Sequence, residues 1–502
     1  MVTPLIPSRS STSHGKATLT MTLLTAAILS LAYGASAFSG ADIKLLFGPG
    51  LSHGAQIWLP SDANYTEEVK QRWAVYQEPS YLGAIKPATE RDVQTIIRIA
   101  SEHQIPFIPT GGGHGTSGTL GGLHGGIEID LSFFNSVDLD AERNRLTIGG
   151  AVVFGQIIDK LYEAGKELPT ASASCVGVLG ATLGAGLSTL QGLHGPLVDS
   201  LESVRIVTAS GAILTASESE NAELFWALRG AGHNFGIVTS ATYRVYDATN
   251  GGQVVNADFL FPASANRSVW EVLRSYDTTL PPQLAVTIVV GANGTSREAL
   301  VVVNAVFYGP MEQALLHLQP IIDIGPAVQN ISMVPWNREL DAAFFNVQNG
   351  ACIRQSRVNI YSLGIRETDV ATWESHFNDL AGFYVRYPEY QGRLLVQRYS
   401  NQAALAVPDD RTAYAYRDAT IQINLEGWYT DPSLDAAVNP FLQSARDKFQ
   451  ETSGYADLAV YTNYAHGDEG PEAWYSRRKL GRLVLLKKLW DPLQIFSWYN
   501  PI

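Results

Sequence analysis

The sequence predicts an α+β protein built in two parts, with a C-terminal segment that can return to either. Three observations carry this reading. A chain of 502 residues, 46% of them hydrophobic, exceeds one ordinary core. Three glycine-rich loops, at 111–118, 177–186 and 230–236, each adjoin a strand pattern. Near residue 250 the texture changes to strand runs separated by helical segments, which predicts an antiparallel sheet with helices on one face.

In chain order, Thr89 and Asp92 form a capping pair that starts a helix through Val93, Ile96, Ile97 and Ala100. A short apolar strand at 105–109 feeds the first glycine loop, and 126–131 alternates as a strand. The spacing predicts an amphipathic helix over 154–168, a hairpin of 201–208 with 212–215, a helix over 221–228 and a strand over 237–245. Beyond 250, strands are expected at 286–290, 299–307 and 419–428, and helices at 311–318, 371–383 and 434–449. The segment 471–490 reads as one helix with proline in its first turn. No repeat of solenoid period is present.

Composition narrows the function. The net charge of −13 and the absence of a Lys/Arg cluster argue against nucleic acid and anionic membranes as partners. Two cysteines, Cys175 and Cys352, can pair or stay free, so no disulfide framework is implied. Arg9 and Lys16 precede an apolar stretch from Met21 to Tyr33 and then Gly34-Ala35-Ser36-Ala37, which reads as a signal peptide cleaved after Ala37. The stretch, about 13 residues, is short for a membrane anchor. Sequons at Asn64, Asn266, Asn293 and Asn330 agree with a secreted, glycosylated chain.

Three loops of glycine main chain, each beside a strand, favour a dinucleotide pyrophosphate. The spacing Gly180, Gly184, Gly186 does not fit a nicotinamide-type fingerprint, and Walker-A and G-x-S-x-G motifs are absent. His-x-x-x-His and Cys-x-x-Cys pairs are absent too, so no metal is expected. Elimination leaves a flavin as the leading cofactor. On chemistry alone, His114 inside the first loop is either a cofactor contact or a solvent-facing loop residue.

Five segments resemble, in order, those of vanillyl-alcohol-oxidase-type flavoproteins of the berberine-bridge-enzyme-like branch, whose FAD domain is of the PCMH type. They are 86–93 (Lys-Pro-Ala-Thr-Glu-Arg-Asp-Val), 110–115 (Thr-Gly-Gly-Gly-His-Gly), 177–186, 228–239 (Leu-Arg-Gly-Ala-Gly-His-Asn-Phe-Gly-Ile-Val-Thr), and the C-terminal Tyr461-Thr-Asn-Tyr464 with Trp474-Tyr475 and Trp490-Asp-Pro492. The resemblance covers roughly 75–245 and 411–502. It implies FAD joined covalently to His114. Many relatives add a second bond through a cysteine at the position of Ala173; Cys175 is out of register, so the bond is expected through His114 and not Cys175, which is read as a small buried residue. Val176 matches a position where valine accompanies oxygen access, which implies an oxidase.

Loops and resemblance together assign cofactor contacts to Thr110, Gly111, Gly112, Gly113, Gly115 and Thr116; to Val176, Gly177, Gly180, Gly184 and Gly186; and to Gly236, Ile237, Val238 and Asn463. Tyr464 is the first candidate proton acceptor or relay, although a phenol needs its pKa lowered from about 10 to act as a base. Gln422, Asn424 and Glu426 share one face of the 419–428 strand, where relatives place a base or flavin contact. His194 and His233 are structural or flavin-edge residues, and Asp468 and Glu469 fit a surface turn. The expected division is a signal peptide (1–37), an FAD domain (38–250, core 78–248), a substrate domain (251–455) and a C-terminal segment (456–502) completing the FAD domain. The expected activity is hydride removal from a small organic molecule (an alcohol, amine or activated C–H of a secondary-metabolite intermediate), with O2 as second substrate. The alternatives are a sugar oxidase acting at the anomeric carbon and a non-catalytic secreted flavin- or sugar-binding protein.

Overall fold

The computed structural model describes residues 39–347 and 350–502. The expected signal peptide lies outside the described residues. Three large sheets and one two-stranded pair organise the rest. The first has the strand order Gln56–Trp58, Tyr81–Lys86, Gly126–Asp130, Phe107–Thr110, antiparallel at the first pair and parallel after it. The helix Glu90–Glu102 begins at the expected capping box of Thr89 and Asp92 and buries Val93, Ile96, Ile97 and Ala100 in one core with Ile127 and Ile129. The second sheet is antiparallel, in the order Val137–Asp140, Arg145–Gly149, Gly236–Arg244, Leu201–Thr208, Ile213–Ser217.

The third sheet is the expected antiparallel one, and it has seven strands: Val328–Pro335, Gln253–Pro262, Ala299–Phe307, Leu284–Ala292, Arg393–Tyr399, Ile421–Trp428 and Val358–Ile365. Alternation gives it two unlike faces. Val286, Ile288, Val301, Val303, Val396 and Ile423 join a core with Trp270, Leu318, Trp373, Phe377 and Phe449 of the helices Asn266–Thr279, Met311–Ile322, Val370–Arg386 and Asp435–Glu451. The intervening Thr287, Val289, Val302, Leu395 and Asn424 face a cavity.

The C-terminal segment is sewn into the first half of the chain. Asn500 donates from Nδ2 to the Thr462 carbonyl at 2.7 Å and accepts from the Ser117 hydroxyl at 2.6 Å. Lys487, buried, donates to the carbonyls of Asn234 and Phe496 and to Asp491.

Local expectations fail where long-range packing overrides a pattern. The 154–168 helix shrinks to a 3₁₀ turn, Phe154–Gln156, a short helix, Ile158–Glu163, and a strand, Lys166–Glu167. The strand pairs with Tyr246–Asp247. The glycine-rich 177–186 contains a helix, Val178–Gly184. The single helix expected over 471–490 breaks at Ser476, whose φ of 57° lies in the left-handed region and separates Pro471–Tyr475 from Arg477–Trp490. Cys175 and Cys352 form a disulfide across 177 residues, so Cys175 is a covalent cross-link rather than a free small residue.

Candidate active site

A cavity of about 840 Å³ lies between the glycine loops and the bare face of the seven-stranded sheet. Residues 110–116, Val176, Gly177, Gly180, Gly186, residues 236–238, Asn463 and Tyr464 all line it, as do His114 and His233. Gly184 and Gln422 do not. Gly184 is needed for another reason: a Cβ there would lie 2.2 Å from Asn463 Oδ1.

The loops require glycine because main chain packs on main chain. A Cβ on Gly112 would lie 2.4 Å from the Gly177 nitrogen, and one on Gly111 would lie 2.6 Å from the Gly150 carbonyl oxygen. Gly180 is different. It lines the cavity, and nothing lies within 4 Å of where its Cβ would be. Asn463 braces the second loop by donating to the Ala181 carbonyl at 2.9 Å and the Tyr461 hydroxyl at 2.7 Å, while Tyr461 accepts from the Gly186 N–H at 3.0 Å.

His114 stacks on Trp73, with ring centroids 4.9 Å apart, and its Nε2 lies 3.4 Å from Cys175 Sγ. Burial, aided by the Arg354 and Arg72 guanidinium groups, lowers its pKa to about 3. The imidazole is therefore neutral, with a ring nitrogen lone pair available for bonding to carbon. Arg354 donates to the Gly112 carbonyl at 2.9 Å and so ties its segment to the His114 loop, while the disulfide ties the same segment to Cys175.

The remaining candidates separate. His233 lines the cavity, faces Asn463 Oδ1 at 3.4 Å, and is held neutral by burial with a pKa near 4. His194 is structural: it pairs with Glu167 at 2.7 Å and stacks on Tyr246 at 3.8 Å. Asp468 and Glu469 pair with Arg446. Tyr464 sits in the expected place, but burial first, and Tyr461 and Tyr399 after it, push its phenol far above the ordinary value. That is the opposite of what a base requires, and the Gln397 amide beside the phenol offsets the shift only in part. Asn424 and Glu426 line the cavity, and Glu426 is bound by Arg393 Nε at 2.6 Å and Trp428 Nε1 at 2.7 Å.

Sequence reasoning missed several cavity residues. Gln397 and Tyr399 lie on a strand whose apolar run was not singled out. Glu339 accepts from the Tyr308 hydroxyl at 2.7 Å and the Thr189 hydroxyl at 3.1 Å, and burial raises its pKa to about 6. No spacing signal joins residues so far apart. Tyr499, from the C-terminal segment, tilts against His233 at 4.6 Å.

Residues 81–217 match the family model described as an FAD binding domain, and residues 460–502 match the one described as berberine and berberine like. The chain is 52% identical over 482 residues to the FAD-linked oxidoreductase tazG of Aspergillus terreus, covering 95% of this chain and 97% of that one. It is 42% identical to the FAD-linked oxidoreductase fmqD of Aspergillus fumigatus, covering 92% and 93%. Among solved structures, Physcomitrella patens BBE-like 1 superposes with a TM-score of 0.80 at 19% identity, covering 91% of this chain and 99% of that one. The xylooligosaccharide oxidase from Myceliophthora thermophila gives 0.78 at 23%, covering 92% and 98%. A cavity walled by glycine main chain, these relatives and this fold agree: the chain belongs to the berberine-like family of FAD-linked oxidoreductases.

Proposed function

We propose that the protein is a secreted oxidase that carries FAD on His114 and oxidises a small organic substrate at an alcohol, amine or activated C–H, with O2 as acceptor and H2O2 as product. The observation that carries this reading is His114: a neutral imidazole on the wall of a large cavity, between main-chain loops and a sheet face of mixed polarity. The cavity suits FAD because the close approach of Gly112 to Gly177 leaves main chain bare, and the open space over Gly180 accepts a bulky group. FAD, when bound, takes hydride from the substrate and passes the electrons on. The protein's part is to hold it, through residues 110–116, Val176, Gly177, Gly180, Gly186, residues 236–238 and Asn463, and to orient the substrate with Tyr464 and Asn424. The disulfide supports a single linkage, since Cys175 Sγ is engaged by Cys352. Val176, lining the cavity, supports access of oxygen.

The division into an FAD domain (38–250), a substrate domain (251–455) and a C-terminal segment that completes the former is part of this proposal. So is secretion with cleavage after Ala37. Asn64, Asn293 and Asn330 are exposed and suit glycans. Asn266 is half-buried, and its Nδ2, the atom a glycan needs, donates to the Ala263 carbonyl at 2.8 Å. A second reading, oxidation of a sugar at its anomeric carbon, is favoured by solved neighbours named for xylooligosaccharide and carbohydrate oxidation. Anaerobic mixing with sugars and with hydroxylated aromatics, followed by admission of air, tests both. Bleaching of the visible flavin band and recovery with peroxide release identify the substrate class. No bleaching by any member of either panel would refute the oxidase reading.

A further inference from the structure

Two buried amide oxygens in the cavity lack a donor. Gln397 is 4% exposed and Asn424 is 3% exposed, and both line the cavity. Among the described residues, neither Gln397 Oε1 nor Asn424 Oδ1 has a hydrogen-bond partner. Gln397 Nε2 donates to the Tyr399 hydroxyl at 3.2 Å and lies beside the Tyr464 phenol, and Oε1 is the unused atom. In the strand register Asn424 lies opposite Leu395, and Gln397 lies opposite Gln422. The two acceptors are thus diagonal neighbours on one sheet face, roughly 7 Å apart at Cβ. A buried acceptor left without a donor carries a desolvation penalty, and a ligand that supplies the hydrogen removes it.

The surroundings define that ligand. Leu260, Val289, Val302, Leu395 and Phe344 give the cavity an apolar wall. Its buried charges are engaged: Glu426 by Arg393 and Trp428, and Glu339 by Tyr308 and Thr189. We propose that Gln397 and Asn424 form a paired acceptor floor that recognises two hydroxyl groups of a neutral, dihydroxylated aromatic substrate. A sugar ring carries hydroxyls around its whole edge, whereas two acceptors beside an apolar wall fit an aromatic diol, whose remaining surface is apolar. This rests on the reading of the cavity as the FAD-oxidoreductase substrate site and specifies what enters it.

The test is binding to the intact flavoprotein without turnover, read anaerobically from the shift of the visible flavin band. The probes are 2,4-dihydroxybenzaldehyde, its 2,4-dimethoxy counterpart and xylobiose. The dihydroxy probe is expected to bind at least about 10-fold more tightly than the dimethoxy probe, because the latter leaves both acceptors unpaired. Gln397→Met and Asn424→Leu remove the acceptors at similar volume. Each is expected to shrink that preference several-fold, and the pair to abolish it, with Tm held or raised. Methylating the probe tests the same contacts on unaltered protein, so a poorly folding variant does not block the conclusion. A preference that survives in both variants, or tighter binding of xylobiose that the same substitutions weaken, overturns the proposal. A wild-type protein with no visible flavin band would instead overturn the cavity assignment itself.

Discussion

Gly180→Ala separates the fold from the cofactor. Gly180 lies inside the helix Val178–Gly184, where alanine is favoured over glycine by about 1 kcal/mol. Nothing lies within 4 Å of the added carbon, so the chain accepts it without strain. The carbon extends roughly 1.5 Å from Cα into the space assigned to FAD. A group resting on that Cα at about 3.5–4.0 Å would then have to move by most of that length, and overpacking of this kind costs about 1–3 kcal/mol. Since each 1.4 kcal/mol is tenfold, FAD affinity should fall roughly 5- to 150-fold. The assay is flavin titration in a His114→Ala background, where a covalent bond cannot mask affinity, alongside thermal melting. Wild-type affinity in Gly180→Ala would show that Gly180 does not touch the cofactor and would refute the reasoning. Gly112→Ala is the contrast: its Cβ meets the Gly177 main chain at 2.4 Å, so the loops must separate, and stability and flavin content should fall together.

Other outcomes follow from other parts of the molecule. His376 lies fully buried among Trp373, Phe441 and Phe449, with neither ring nitrogen hydrogen-bonded among the described residues. Burial lowers its pKa from 6.5 to about 4, with the Asp379 and Lys448 charges opposing each other nearby. Because the unfolded state binds this proton first, stability drops as pH falls from 6.5 toward 4, by about 3 kcal/mol for this group. His376→Leu should therefore raise Tm most at acid pH; an equal shift at pH 5 and pH 8 would contradict the assignment. Replacing Cys175 and Cys352 together by serine releases a closure of 177 residues and should lower stability by about 2–5 kcal/mol, measured by denaturant unfolding, with flavin content unchanged. Asn500→Ala removes the ties to Ser117 and Thr462 and should reduce stability by about 2 kcal/mol in the same assay; an unaltered midpoint would deny the C-terminal segment a bracing role.

Much of the architecture was readable where the signal is local. The Thr89–Asp92 cap, the 299–307 strand and the hairpin about 209–211 each depend on neighbours in sequence, and each forms as expected. The glycine loops were readable because main-chain contact forbids a side chain. What stayed hidden depends on distant partners. The order of the seven-stranded sheet places Val358–Ile365 beyond Ile421–Trp428, which periodicity cannot encode. Tyr464 lies on the cavity wall, yet its proton affinity is raised by burial first and then by Tyr461 and Tyr399, none of which is visible in one strand of sequence. The pairing of Cys175 with Cys352 was one of two open possibilities until the fold brought the segments together.

The proposed oxidase requires a flavin fused to the imidazole of His114. Proteolysis of denatured protein followed by mass spectrometry of the yellow peptides measures this directly. A single flavin adduct on the peptide containing His114, with Cys175 recovered in disulfide linkage to Cys352, is the predicted result. Flavin released entirely on denaturation, or an adduct that includes Cys175, would contradict it.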